Sequence, residues 1–164
     1  MVQQLRSLEA GYEGEETPLA GYAGLIATFT ALGGGVLAAA ERSGRLPNRL
    51  RVSDLALASM ATQHLARLVA KDRVTSVLRA PLTRYQGRGR PGEVEEEPRR
   101  TGPALALGQM IVCPFCLGQW IALGFISGFL FAPRATRAAA SVLTVSATAD
   151  LLQEAYVRFV PEDH

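Results

Sequence analysis

The chain has 164 residues with 17 basic and 15 acidic side chains, a net charge of +2 and two cysteines. That length fits one domain or one compact membrane bundle, and the net charge of +2 argues neither for nor against a nucleic-acid partner. Two cysteines close together exclude the disulfide framework of a small secreted fold. The charges fall in blocks between apolar runs, whereas a soluble domain scatters them along exposed helix faces.

Residues 1–18 form a polar, acidic tail. Glu9, Glu13, Glu15 and Glu16 precede the first apolar run, so the order of a cleavable signal peptide is missing and the first span is expected to stay as an anchor. From Leu19 to Ala40 there are 22 uncharged residues, enough for a transmembrane helix, which needs about 20. Ala23, Ala27, Ala31, Gly35 and Ala39 recur every four positions. Such a stripe lets another helix approach closely in lipid, and Gly124 and Gly128 are the matching small residues later in the chain. Abundant alanine alone would produce the same stripe.

Glu41 to Arg51 is a short basic connection. Ser53 reads as an N-cap with Asp54 in the first turn of the next helix. Val52 to Ala70 is 19 residues, long enough to cross only if Gln63, His64 and Arg67 face protein. Lys71 to Arg79 continues as an amphipathic piece suited to the membrane surface. Residues 80–102, with Pro81, Pro91 and Pro98 and with Gly87, Gly89 and Gly92, read as an irregular, solvated, charged loop. Its short Arg-Gly pattern lies beside four glutamates and is no RNA-binding segment.

Pro103 to Phe131 holds 29 residues without a formal charge. It contains Cys113-Pro114-Phe115-Cys116, the one compact chemical motif. Pro114 suits the first helical position, which leaves Cys113 at the cap of a helix running to about Ala132. Ala104 to Val112 would be a surface or re-entrant piece. The spacing is that of dithiol oxidoreductases, in which a helix N-terminus lowers the thiol pKa. The strand and βαβ frame of soluble CPxC proteins are absent from the pattern, and two small lipid-compatible residues beside a proline kink are the plainer reading. No second ligand pair exists for zinc, so no metal is expected, and the residues name no cofactor.

Ala135 to Phe159 forms the last helix, with Asp150, Glu154 and Arg158 on one face, before a short polar tail from Pro161 to His164. Asp150 and Glu154 form a constellation with His64 and Arg67. These four are either a structural ionic link between helices or a proton or substrate path. Counting basic residues, four crossings split six against ten. Three crossings, with 52–70 lying shallow, split thirteen against three and put both basic loops inside.

His64 to Pro81 (HLARLVAKDRVTSVLRAP), the run EEEPRR, and Cys113 to Trp120 (CPFCLGQW) together resemble the small bacterial membrane proteins classed as domain of unknown function 1360. The resemblance runs from about Val52 through the last helix. It implies a membrane protein and brings no reaction, substrate or cofactor.

The expected fold is therefore all-α: an integral membrane helical bundle of three transmembrane helices plus one amphipathic or shallow helix, or of four transmembrane helices. It would sit in the bacterial inner membrane as a single helical domain over 19–160, with its main charged loop cytoplasmic. The expected function is that of a packing or assembly subunit, partnered by the lipid bilayer and by other membrane subunits or copies of itself. The alternative is a membrane dithiol–disulfide redox protein using Cys113 and Cys116.

Overall fold

A computed structural model describes residues 18–99, 101 and 103–159, so the acidic tail falls outside it except for Pro18. Six helices and one hairpin follow in order. They are α1 (Leu19–Arg42), α2 (Val52–Lys71), α3 (Ser76–Arg79), β1 (Thr83–Arg88), β2 (Val94–Pro98), α4 (Pro103–Val112), α5 (Pro114–Phe131) and α6 (Pro133–Phe159). The described chain is mostly helical, as the charge-free runs require.

Helix α2 is the centre of the bundle and packs along both α5 and α6. Ala58 and Ala61 meet Phe125, Phe129 and Ala140 in a core of small residues interleaved with rings. Gly118 of α5 lies against Thr62 and Ala66, so α2 and α5 run antiparallel. Arg137 reaches Asp54, Thr144 donates to the Leu57 carbonyl, and Asp150 faces His64, so α2 and α6 run parallel. On the far side α1 runs parallel to α5. Phe29 and Trp120 meet edge to face at 5.4 Å, and Arg45 donates to the Phe131 carbonyl at 3.0 Å. That arginine completes the C-terminus of α5, where carbonyls lack helical partners.

Several expectations change here. The N-cap of α2 is Arg51 in extended backbone, without a side-chain cap, and the helix starts one residue before Ser53. The amphipathic piece Lys71–Arg79 is not one helix. Asp72 is extended and bridges to Glu93, and only Ser76–Arg79 is helical. Residues 80–102 are not an irregular loop. They hold an antiparallel hairpin with one register shift between Tyr85 and Gly87. Its turn is Arg90-Pro91-Gly92-Glu93, closed by Glu93 N–H donating to the Arg90 carbonyl at 2.8 Å. Proline second and a glycine at φ +84° third make it a type II turn.

The charge count favoured both basic connections on one side. The structure separates them. The 43–51 connection lies by the α5–α6 turn, the hairpin lies at the opposite end, and α2 runs the length between.

Small residues behave unevenly. Ala27, Ala31, Gly35 and Gly124 are exposed, and a Cβ on Gly35 or Gly124 would meet nothing within 4 Å, whereas a Cβ on Gly128 would lie 2.5 Å from the Thr136 hydroxyl. Gly108 is the tightest crossing of α4 on the hairpin, where a Cβ would meet that of Pro98 at 2.8 Å.

Candidate functional site

The chemistry gathers where the hairpin meets the C-terminal half of α2. Residues 67 and 71, one turn apart, point Arg67 at the end of the hairpin turn and Lys71 at the second strand. Arg67 Nε binds Glu93 at 2.7 Å and Lys71 Nζ binds Glu95 at 3.0 Å. The third contact is of a different kind. Arg79 is completely buried, and its Nε and Nη2 bind both oxygens of Glu96 at 2.8 and 3.2 Å. Its remaining protons go to the Val69 and Asp72 carbonyls and to Thr75 Oγ1. Thr83 then donates to Glu96 Oε2 at 2.9 Å. A planar five-donor guanidinium suits this arrangement: it satisfies the end of α2 and a buried carboxylate together. Among the described residues no buried side-chain nitrogen or oxygen lacks a partner.

Beside this staple lies an open cleft of about 490 Å³ between α2, the hairpin turn and the last turns of α6. His64, Arg67, Asp72, Arg90, Glu93, Asp150, Glu154 and Arg158 contribute to its walls. His64 is buried, and its Nδ1 lies 3.7 Å from Asp150 Oδ2, beyond hydrogen-bond length but within ionic reach. Arg67 is committed to Glu93, and Glu154 pairs with Arg158 at 2.8 Å, one turn along its own helix. The constellation of His64, Arg67, Asp150 and Glu154 is therefore brought to one cleft, but only His64 and Asp150 face each other as a pair.

At the opposite end a fork joins α2 to α6: Arg137 Nε and Nη2 bind the two Asp54 oxygens at 2.8 and 2.6 Å. The charges bracketing the two helices are matched. Twelve residues without formal charge separate Asp54 from Arg67 in α2, and twelve separate Arg137 from Asp150 in α6.

Cys113 and Cys116 are both free. Cys113 is the N-cap of α5, and its sulfur accepts the Cys116 N–H at 3.3 Å with Pro114 at the first helical position. An N–H aimed at the Cys113 sulfur from a helix N-terminus is the arrangement that favours a thiolate, but the two sulfurs form no disulfide, and the dithiol reading has no further support in the structure. Among the described residues no three His, Cys, Asp or Glu side chains converge as metal ligands.

A second groove, of about 400 Å³, runs between α2 and α5. Ala58, Ser59, Thr62, Ala66, Gly118 and Ala122 form its floor and walls, and the amides of Gln63 and Gln119 line it as well.

Arg79, Glu96 and the Asp54–Arg137 fork went unread in the sequence. Arg79 stood in an amphipathic pattern that made it look solvated, and Glu96 stood in a run of three glutamates.

Residues 57–156 match the family described as a protein of unknown function, DUF1360. The chain belongs to this family. The matched segment begins in α2 and ends near the close of α6, so it takes in the hairpin, the Arg79–Glu96 staple and all of the cleft except Val157 and Arg158, and leaves out α1. The chain is also similar to the UPF0713 protein YngL of Bacillus subtilis, 27% identical over 109 residues, which cover 66% of this chain and 82% of that protein. No solved structure matches the chain. Within the family segment, the run from His64 to Pro81 and the acidic strand are the two halves of one ionic joint.

Proposed function

We propose that the chain is a small polytopic protein of the bacterial inner membrane, in which α1, α2, α5 and α6 all cross. It acts as an assembly subunit, joined to copies of itself or to another membrane protein at lipid depth. The observation that carries this reading is the outward turn of apolar side chains on helices long enough to span. Leu19–Arg42 and Pro114–Phe131 have the length and composition to cross, and α1 buries only Ala40. Ile26, Leu32 and Leu37 of α1 and Val142, Val145 and Leu152 of α6 all face outward. Water penalises such a surface, and lipid or a partner helix does not.

Four crossings suit the bundle better than three. Helix α5 is about 27 Å long, close to the hydrocarbon thickness, and α2 and α6 lie alongside it. Their uncharged middles reach about 18 Å, and paired, partly exposed ionic side chains extend them to the headgroups. The hairpin end carries eight basic residues between Lys71 and Arg100, against six in the two connections at the other end, which favours a cytoplasmic hairpin.

The α2–α5 groove supports the assembly role. Small residues let a helix backbone come close, and the Gln63 and Gln119 amides offer hydrogen bonds to a neighbouring span. Ser59→Leu fills the groove from its open side without entering the core. The test is the mass of the detergent-solubilised protein, together with crosslinking in intact membranes. An assembly larger than one chain that Ser59→Leu reduces supports the reading. A single-chain mass with no crosslinked partner sinks it.

A further inference from the structure

A third concave surface lies between the α3 segment and the hairpin face that carries Thr83, Tyr85, Val94 and Glu96, and it shares no lining residue with the polar cleft. Arg73, just before α3, and Ser76 and Val77 of α3 form one wall, Tyr85 of β1 and Arg99, just after β2, form the other, and the groove measures about 410 Å³. Its one carboxylate, Glu96, is already neutralised by Arg79 and hydrogen-bonded by Thr83. Neither Arg73 nor Arg99 has a carboxylate partner among the described residues. Arg99 gives its Nε proton to the Thr83 carbonyl at 3.1 Å, which fixes the guanidinium at the rim with its terminal nitrogens free of that bond. Two arginine forks on one groove over a neutralised floor are a phosphate-binding chemistry.

The rim decides what carries the phosphate. Val77, 72% exposed, lines the groove together with Tyr85, and Val74 and Leu78, 84% and 61% exposed, flank Val77 along the chain. A small soluble anion gains nothing from that apolar fringe. A phospholipid does, because its glycerol and first methylenes lie directly beneath its phosphate. Tyrosine is enriched at the same level. The α3 segment leaves the last turn of α2, at the bundle end where α5 begins, which is where headgroups would lie.

We propose that the groove between α3 and the hairpin holds the phosphate of an anionic phospholipid, with Arg73 and Arg99 on the phosphate and Val74, Val77 and Leu78 at the top of the acyl layer. This rests on the membrane reading given above. The hairpin is then a headgroup-gripping cap, drawn onto the bilayer beside its own bundle.

The experiment is native mass spectrometry of the full chain in mild detergent, supplied with equal amounts of phosphatidylglycerol and phosphatidylcholine. Phosphatidylglycerol is expected to be retained preferentially, and Arg73→Gln with Arg99→Gln to weaken that preference by roughly fivefold per arginine. Arg84→Gln, outside the groove, leaves it unchanged. Equal retention of the two lipids, or an unchanged preference in the double variant, overturns the site. Displacement of phosphatidylglycerol by excess inorganic phosphate overturns the choice of a lipid as occupant. Should the double variant elute abnormally, Arg73→Gln alone carries the test, since the Arg73 side chain makes no internal hydrogen bond among those described. Carbonate washing of the source membranes reads the underlying assignment separately. Release by carbonate defeats the membrane reading, whereas a retained protein without lipid preference defeats only this site.

Discussion

Arg79 and Glu96, 17 residues apart, form a two-pronged pair in which the guanidinium is wholly enclosed and also satisfies the end of α2. The pair makes the hairpin part of the bundle. Removing one partner strands a buried charge, which costs about 3–5 kcal/mol, whereas replacing both by apolar groups costs far less. Arg79→Gln is therefore expected to release the hairpin and to lower the unfolding midpoint strongly. Arg79→Met with Glu96→Leu should recover much of the loss. Limited proteolysis between Ala80 and Pro98 reads the release directly, and full protection in Arg79→Gln would contradict this account.

Gly108 makes a second expectation. A Cβ there would sit 2.8 Å from that of Pro98 and 3.4 Å from the Leu82 carbonyl, and the backbone on that side cannot give way cheaply. Gly108→Val should separate α4 from the hairpin and cost about 1–3 kcal/mol, as overpacking does. Gly124, with open space around it, should accept alanine with no loss of stability in the isolated chain. Hydrogen exchange of the hairpin amides compares the two, and equal effects would show that the crossing is not tight.

At the other end of the bundle, Asp54 and Arg137 act as one unit. Asp54→Ala and Arg137→Ala are each expected to loosen the α2–α6 contact, and the double variant should lose less than the sum of the two. Strict additivity in thermal unfolding would mean that the fork contributes nothing beyond its separate residues.

Bundle polarity supplies the fourth expectation. In a chain with Cys113→Ser and Cys116→Ser, single cysteines at Ser43 and at Gln86 should label from opposite faces of the membrane with an impermeant maleimide. The native Cys116 should label from the face that exposes Gln86. Labelling of Ser43 and Gln86 from one face would restore the three-crossing arrangement.

What could be read from the sequence was what lies in uninterrupted runs. The start of α1 at Leu19, the cap at Cys113 and the break after Phe131 follow from missing charge and from the place of Pro114, and the structure has all three. The hairpin was hidden for a definite reason. Strands are recognised by apolar residues on alternate positions, and here the inward residues are Thr83, Val94 and Glu96. Glu96 faces inward because Arg79, on another element, is there to meet it. The Arg90-Pro91-Gly92-Glu93 turn was legible and was passed over among the other glycines and prolines. Of the candidate site residues, His64 and Asp150 do meet. Arg67 finds Glu93 instead of the α6 acids, because the hairpin, read as a loop, supplies a nearer carboxylate.

The equal spacing of charges on α2 and α6 has a mechanical consequence. A slide of one helix past the other by a single turn, about 5.4 Å, would open the Asp54–Arg137 fork and the His64–Asp150 contact together. The two helices therefore form a strut of fixed length. In bilayers of unequal thickness such a strut adapts by tilting, or by drawing the lipid to its own height, since it cannot telescope. Helix α1 has no ionic bracket to α2 or α6 among the described residues, and it is held to α5 instead, by Phe29 on Trp120 and by Arg45 on the Phe131 carbonyl.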